Sequence, residues 1–309
     1  MSAVIRLGLV GLGKIARDQH MPAIAHTPGI ELVAVASRNA RLDGVACYPD
    51  LDAMLAAAPG LDAVVLCQPP QARYAAARAA LLAGCHVFLE KPPGATLSEV
   101  EALASLATSR GLTLFASWHS RAAAAVDQAR DWLATATIHS VHINWKEDVR
   151  VWHPGQAWLW QPGGFGVFDP GINALSILTA ILPEPVRLLA ADLDMPSNCA
   201  APIAARLQMA TASGLPISAD FDFRQTGPQA WEVIVHTAQG RMTLGEGGSR
   251  LHLPDCSLPA GPEAEYPQLY ARFVDLVRRG ASDVDLAPLR LVADAFLIGR
   301  HHKVAAFTG

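Results

Sequence analysis

The segment Ile5-Arg6-Leu7-Gly8-Leu9-Val10-Gly11-Leu12-Gly13-Lys14-Ile15-Ala16 passes from a strand-length apolar run straight into a G-x-G-x-x-A pattern. An Ala-rich stretch of helical length, Lys14 to Ala25, follows it. The position between strand and helix gives the glycines their meaning. Gly11 permits a tight turn, Gly13 lets backbone approach a pyrophosphate, and Ala16 is small enough for close helix packing on a sheet. The start of the helix, at Lys14 and Ile15, then presents free amides and a positive dipole end to phosphates.

From Ile5 to Ser120 the same rhythm repeats. Strand candidates at Ile5 to Val10, Glu31 to Ser37, Ala63 to Cys67, His86 to Leu89 and Leu112 to Ser117 alternate with helix candidates at Lys14 to Ala25, Leu51 to Ala58, Gln71 to Ala83 and Ser98 to Ser109. Strands that are apolar along their whole length are those covered on both sheet faces. The expectation is an α/β chain whose residues 1–120 form a Rossmann domain, a doubly wound parallel sheet. After a helix over Ala122 to Ala134 the texture changes. Strand-like runs at Ser140 to Trp145, Arg187 to Leu193, Ile203 to Ala210, Ile217 to Phe223, Glu232 to Thr237 and Arg241 to Leu244 follow one another with few helices between. Residues 121–309 are therefore expected to be an α+β domain on a largely antiparallel open sheet, which binds substrate and pairs subunits. Helices over Ile172 to Leu182, Tyr266 to Arg278 and Pro288 to His301 would cover it, the last packing back toward the first domain.

Composition excludes several classes. With 309 residues, 51% of them hydrophobic, the chain can bury substantial cores. A net charge of -4 without like-charge blocks offers no footprint for nucleic acid. No apolar run reaches the roughly 18 residues of a membrane span, and the first strand begins too early for a signal peptide, so a cytoplasmic location is expected. Five scattered cysteines suit neither a disulfide framework nor a zinc site, and no metal is expected.

The end of the second strand bears on cofactor choice. An acidic residue about 20 residues past the glycines serves NAD, but here the chain reads Ser37-Arg38. A hydroxyl beside a guanidinium welcomes a 2'-phosphate, which predicts NADP, while nothing excludes NAD. The simpler alternative is that Arg38 is a solvated loop charge. Cys67 and Pro69, at the end of the third strand, belong to the same expected cofactor edge. Glu90-Lys91-Pro92-Pro93 follows the fourth strand at that carboxyl edge. A partly desolvated lysine there can transfer protons, although by residue type alone a surface lysine in a proline-rich loop is the simpler reading.

Gly84-x-His86-Val87-x-x-Glu90-Lys91-Pro92, behind the N-terminal glycine motif, resembles the Gfo/Idh/MocA oxidoreductase family over essentially the whole chain. The resemblance implies that Lys91 reaches the reacting sugar carbon and the nicotinamide, that Glu90 borders the cofactor, and that Pro92 sets Lys91 through a cis bond. The family's G-G-x-x-x-D-x-G-x-H pattern is matched by Gly163, Gly164, Asp169 and Gly171, but Asn173 stands where histidine is common. An amide hydrogen-bonds a hydroxyl yet accepts no proton at neutral pH, so the acid/base work is assigned to Lys91 or Asp169. Asp169 and Asn173, four apart near a helix start at Pro170, would share a face. Asp169 as an ordinary N-cap is the plainer alternative.

Between Trp145 and Trp160 stand four of the seven tryptophans. Aromatic faces cover the C–H faces of sugars, and carboxylates and imidazoles bind their hydroxyls. Glu147, Trp152 and His153 are the expected sugar contacts, joined by His119, Asp169, Asn173 and Trp231, with Trp145 assigned to the core. Together W-H-S-R, W-K-E-D-V-R-x-W-H-P-G and F-D-P-G-I-N-A-L-S-I resemble the branch of the family that oxidises L-arabinose and D-galactose at C1 to lactones. That resemblance implies a small-molecule sugar as partner and a homodimer through the second sheet. The rivals are an inositol or polyol dehydrogenase and a non-catalytic NADP-binding regulator on the same scaffold.

Overall fold

The computed structural model describes residues 4–58, 60–258, 261 and 264–308. The chain divides into two compact units, Met1–His119 with Tyr266–Asp285, and Ser120–Glu265 with Leu286–Gly309.

In the first unit, β1 (Ile5–Val10), β2 (Ile30–Ala36), β3 (Ala46–Tyr48), β4 (Ala63–Leu66), β5 (His86–Leu89) and β6 (Leu114–Ala116) form a parallel sheet in the order β3-β2-β1-β4-β5-β6. The order reverses between β1 and β4, where a doubly wound sheet opens its ligand crevice. Between the strands lie a π-helical turn (Ala16–His20) continued by α1 (Met21–His26), then α2 (Leu51–Ala57), α3 (Pro70–Leu82) and α4 (Leu97–Ser109). Alternate strand residues feed two separate cores. Leu7, Leu9, Val65 and Phe88 face one, and Val10, Val64, Leu66, Val87 and Leu89 the other. Burial on both faces is why these strands carry no polar alternation.

The second unit is built on α5 (Val126–Leu133), α6 (Val149–Trp152) and α7 (Phe168–Ile181), and on β7 (Ile138–Lys146), β8 (Val186–Pro196), β9 (Ala204–Thr211), β10 (Pro216–Asp222), β11 (Ala230–Thr237), β12 (Gly240–Gly245), β13 (Arg250–His252) and β14 (Ser257–Leu258). After α8 (Glu265–Arg279) come α9 (Ala287–Ile298) and β15 (Arg300–Val304). The nine strands order as β14-β13-β12-β11-β7-β10-β9-β8-β15, antiparallel except for β7/β10 and β8/β15. On β10, Ile217, Ala219 and Phe221 are buried while Ser218, Asp220 and Asp222 are half-exposed, the signature of one covered face.

Several expectations need correction. The helix that joins the first unit is α8, not the last helix. Its stripe of Tyr266, Leu269, Tyr270, Phe273, Val274 and Leu276 packs in the core containing Phe88 and Phe115, while α9 lies against α7 and β8 in the second unit. The first unit therefore needs Tyr266–Asp285 as well as the residues before 120. The final helix ends at Ile298 instead of His301. A side chain at Gly299 would strike the Ala295 carbonyl at 2.3 Å, and the chain leaves extended to become the edge strand β15. The helix expected from Ala122 starts only at Val126, after a short 3-10 turn at His119–Ala122. The strands β3, β13 and β14 are two or three residues long, too short for a periodic signal. Among the described residues no helix is long and apolar enough to cross a membrane.

Candidate active site

In the first unit the glycine motif does what its spacing requires. Gly11 has a φ of 93°, and a Cβ there would stand 3.2 Å from the backbone between Cys67 and Gln68. A Cβ on Gly13, by contrast, would meet nothing within 4 Å. The turn is thus closed on its sheet side and open above Gly13, next to the helix start. Ala16 is fully buried beneath it, Ile15 is partly exposed, and Lys14 pairs with Asp18. Ser37 follows β2, its amide donating to the Tyr48 carbonyl at 3.0 Å, and Arg38 is exposed. Cys67, at the end of β4, donates its amide to the Val10 carbonyl at 2.9 Å, and Pro69 is exposed. Such an open, amide-lined turn at the topological switch point fits a dinucleotide pyrophosphate.

Glu90-Lys91-Pro92 leaves β5 at the same edge, with the Lys91–Pro92 bond cis. The Glu90 side chain turns inward, not toward the crevice. Its Oε1 accepts from Tyr266 Oη at 2.6 Å and His20 Nε2 at 3.1 Å, and its Oε2 accepts from the Lys91 amide at 2.7 Å. Burial alone would raise this carboxyl's pKa, yet His20, His119 and Tyr266 hold it well below the ordinary carboxylate range. For His20, burial alone would lower the imidazole. The neighbouring Cys67 and Glu90 more than reverse this and lift it to about 10. A doubly protonated ring donates from both nitrogens, which suits Glu90 on one side and the Tyr270 hydroxyl, 2.7 Å away, on the other. Buried Arg73, from α3, donates to the Glu90 carbonyl at 2.6 Å and also to that of Pro92. His119 stacks on the Tyr266 ring, with centroids 5.6 Å apart and planes at 20°.

In the second unit, α6 and the loops around it gather the tryptophan cluster. Buried Glu147 accepts from Trp231 Nε1 at 2.8 Å and from His153 Nε2 at 3.1 Å. Since a carboxylate only accepts, Nε2 of His153 carries a proton, and its Nδ1 lies 3.8 Å from Asp169 Oδ2. Trp152, 42% exposed, leans on Trp231 with centroids 4.8 Å apart, while Trp145 is buried behind. Helix α7 begins at Phe168 with Val167 as its N-cap, so Asp169 lies inside the first turn and is not the cap. Gly166 allows this earlier start by taking a φ of 50° and accepting from the Asp169 amide at 2.9 Å. Pro170 fits because first-turn positions need no N–H partner. Asp169 is buried and half-buried Asn173 follows one turn later. In the motif, Gly163 takes a left-handed φ of 79°, and Gly164 and Gly171 are there for packing. A Cβ on Gly164 would lie 2.3 Å from the Trp158 carbonyl, and one on Gly171 2.9 Å from the Phe221 ring.

The first unit therefore brings together Gly11, Gly13, Ser37, Cys67 and Lys91, and the second Glu147, Trp152, His153, Asp169 and Trp231, with Asn173 one helical turn after Asp169 on α7. His20, Arg73, Tyr266 and Tyr270 were not anticipated. Arg73 had a signal: it occupies the buried stripe of α3 with Ala77, Ala80 and Leu81, where an unneeded charge would not survive. Among the described residues no cluster of histidine, cysteine or carboxylate side chains could hold a metal.

A doubly wound sheet with this turn and lysine loop, joined to an open-sheet unit, defines a nicotinamide-dinucleotide oxidoreductase. Residues 5–117 match the family model described as Gfo/Idh/MocA, oxidoreductase family, NAD-binding Rossmann fold, and the chain belongs to that family. It is 47% identical over 308 residues to a galactose 1-dehydrogenase from Pseudomonas fluorescens, covering 98% of each chain. A crystal structure of a D-galactose-1-dehydrogenase protein from Rhizobium etli is 56% identical, with a TM-score of 0.96 over 100% of this chain and 99% of that one. The fold also matches a 3-ketoreductase from Actinomadura kijaniata solved with NADP and TDP-benzene, at 20% identity, a TM-score of 0.84, and 97% and 99% coverage.

Proposed function

We propose that the chain is an aldose 1-dehydrogenase that prefers NADP and oxidises D-galactose, and L-arabinose with it, at C1 to the aldonolactone. The observation carrying this reading is the full-length similarity to galactose 1-dehydrogenase, and the Glu147–His153–Asp169 row beside a tryptophan pair supports it. The two sugars share the configuration of C2, C3 and C4, so one pocket serves both.

The Gly11–Gly13 turn and the helix start would hold the pyrophosphate, with Ser37 and Arg38 on the adenosine 2'-phosphate. The bound dinucleotide supplies the two-electron acceptor. Trp152 and Trp231 cover the C–H face of the sugar and exclude water from it. Glu147, His153 and His119 bind ring hydroxyls, and Asn173 orients the C1 hydroxyl with its amide. Lys91 or Asp169 takes the C1 hydroxyl proton. The His153 imidazole stands between two carboxylates, Glu147 at 3.1 Å and Asp169 at 3.8 Å, which fixes the ring beside Asp169. The half-exposed polar face of the nine-stranded sheet, with Ser218, Asp220 and Asp222, is the surface we assign to a homodimer.

Assays of Lys91→Ala and Asp169→Ala with both sugars test the reading. At least one should lose about a thousandfold in kcat, the scale of a lost proton-transfer group. Near-normal kcat in both would end the assignment.

A further inference from the structure

The first unit places a buried chain of polar groups behind Lys91. His119 stacks on the Tyr266 ring, the Tyr266 hydroxyl donates to Glu90 Oε1, and Glu90 Oε2 accepts from the Lys91 amide. His20 seals the other side of the carboxylate, and Tyr270 seals His20. Burying a carboxylate is costly unless its oxygens are satisfied, and here Oε1 is held by Tyr266 and His20 while Oε2 is left to fix the Lys91 backbone amide. A hydrophobic residue at position 90 would leave the buried His20 imidazole and the Tyr266 hydroxyl without their acceptor, so the whole cluster is built around this carboxylate and the one backbone amide it holds.

We propose that Glu90 and Tyr266 are positioning residues: the carboxylate fixes the Lys91 backbone for catalysis, and Tyr266 couples this loop to the sugar-binding edge at His119. The inference rests on the reading of Lys91 given above. Tyr266 arrives on α8, which leaves the second half of the sequence to complete the first unit. Its two ends have separable work. The hydroxyl acts on Lys91 through Glu90, and the ring supports the His119 imidazole. Arg73, holding the carbonyls on either side of Lys91, fixes the same loop from α3.

The test compares Tyr266→Phe, Tyr266→Leu, Glu90→Gln and Lys91→Ala in steady-state kinetics with D-galactose and NADP. Thermal melts and NADPH binding by nicotinamide fluorescence establish that each protein is folded. Tyr266→Phe removes one oxygen and keeps the ring; kcat should fall about tenfold with both KM values within about twofold, since a hydrogen bond to a charged group is lost. Tyr266→Leu should show the same fall in kcat and also raise the sugar KM about fivefold. Glu90→Gln should lose about a hundredfold in kcat while still binding NADPH. If Glu90→Gln does not fold, the two Tyr266 variants decide alone. A Tyr266→Phe protein with normal kcat, beside an inactive Lys91→Ala, overturns the positioning role and leaves the function intact. A fall in kcat only in proportion to a lowered Tm, with both KM values raised together, overturns it as well. Normal kcat in Lys91→Ala removes the reading of Lys91 on which the positioning role rests and overturns that role, leaving Asp169 as the base and the function to be decided by Asp169→Ala.

Discussion

The two clusters assigned to the proposed reaction are built by different means. Around Glu90 the supporting side chains of Arg73, Tyr266 and Tyr270 come from full helices and His20 from the π-helical turn that runs into α1, and His20, Glu90 and Tyr270 are shut away from solvent among Phe88 and Phe273. Around Glu147, Trp231 comes from β11 and Asp169 from α7, but Trp152 and His153 hang from the four-residue α6 and its end, and the cluster finishes at exposed Trp152. Local opening costs most where buried contacts are dense and least in loops. The Glu90 cluster is thus closed on every side, whereas in the Glu147 cluster the α6 segment with Trp152 and His153 is the part with the fewest buried contacts and the most freedom to adjust. In the proposed reaction the closed cluster would position the reacting lysine and the exposed α6 segment would select among sugars.

The hardest blow to the contrast should come at Gly164. A methyl group there would lie 2.3 Å and 2.4 Å from two backbone carbonyls, neither of which can move without displacing the Trp158–Trp160 turn. Gly164→Ala should lower Tm by about 10 °C or more, or prevent folding of the second unit, as overpacking against backbone costs several kcal/mol. A melt within a degree of wild type would show the loop to be far looser than its packing. A gentler cut is Glu147→Gln, which keeps the shape but alters the acceptor shared by His153 and Trp231. The sugar KM should rise about thirtyfold while the NADP KM stays put, the cost of breaking a buried charge-assisted bond. A fall in kcat with unchanged sugar KM would instead place Glu147 in the proton path.

Much of this contrast was legible in residue order, and the part that was not has a common cause. Parallel strands and their crossovers are local patterns, so β1, β4 and β5 could be read to within a residue of their ends. The Lys91 loop was legible as a motif, and Asp169 with Asn173 as helix neighbours. What could not be read is long-range: Tyr266 lies 176 residues from Glu90 and Tyr270 250 residues from His20. An amphipathic helix shows which face is apolar but not which core receives it, so α8 was expected on the wrong unit. The same gap hid the purpose of His20, whose partners come from β5 and α8. Position 299 illustrates a smaller failure, where one glycine ends a helix and begins a strand within a single residue.

Cofactor choice sharpens the comparison from the nucleotide side. Arg38 is exposed and lies outside both clusters, so Arg38→Ala should lower kcat/KM for NADP about tenfold and leave NAD nearly unchanged, the value of one charge-assisted contact to phosphate. Equal losses for the two cofactors would refute a phosphate-binding role.

The smallest expected effect probes the buried cluster through pH. The native imidazole of His20 is lifted from 6.5 to about 10, so the folded state holds a proton that the unfolded chain releases. Its contribution to stability is whole below pH 6.5 and is lost as pH climbs through the native value. In His20→Gln an amide can still donate to Glu90 but brings no charge. The variant should melt about 4 °C below wild type at pH 7. That gap should shrink steadily toward pH 10 while activity per folded molecule changes in parallel with Glu90→Gln. A gap of constant size across this range would mean that the imidazole is neutral in the native protein. The Glu90 carboxylate would then be held by uncharged hydrogen bonds and by the aromatic packing around His20, and the contrast between the two clusters would be one of burial and not of charge.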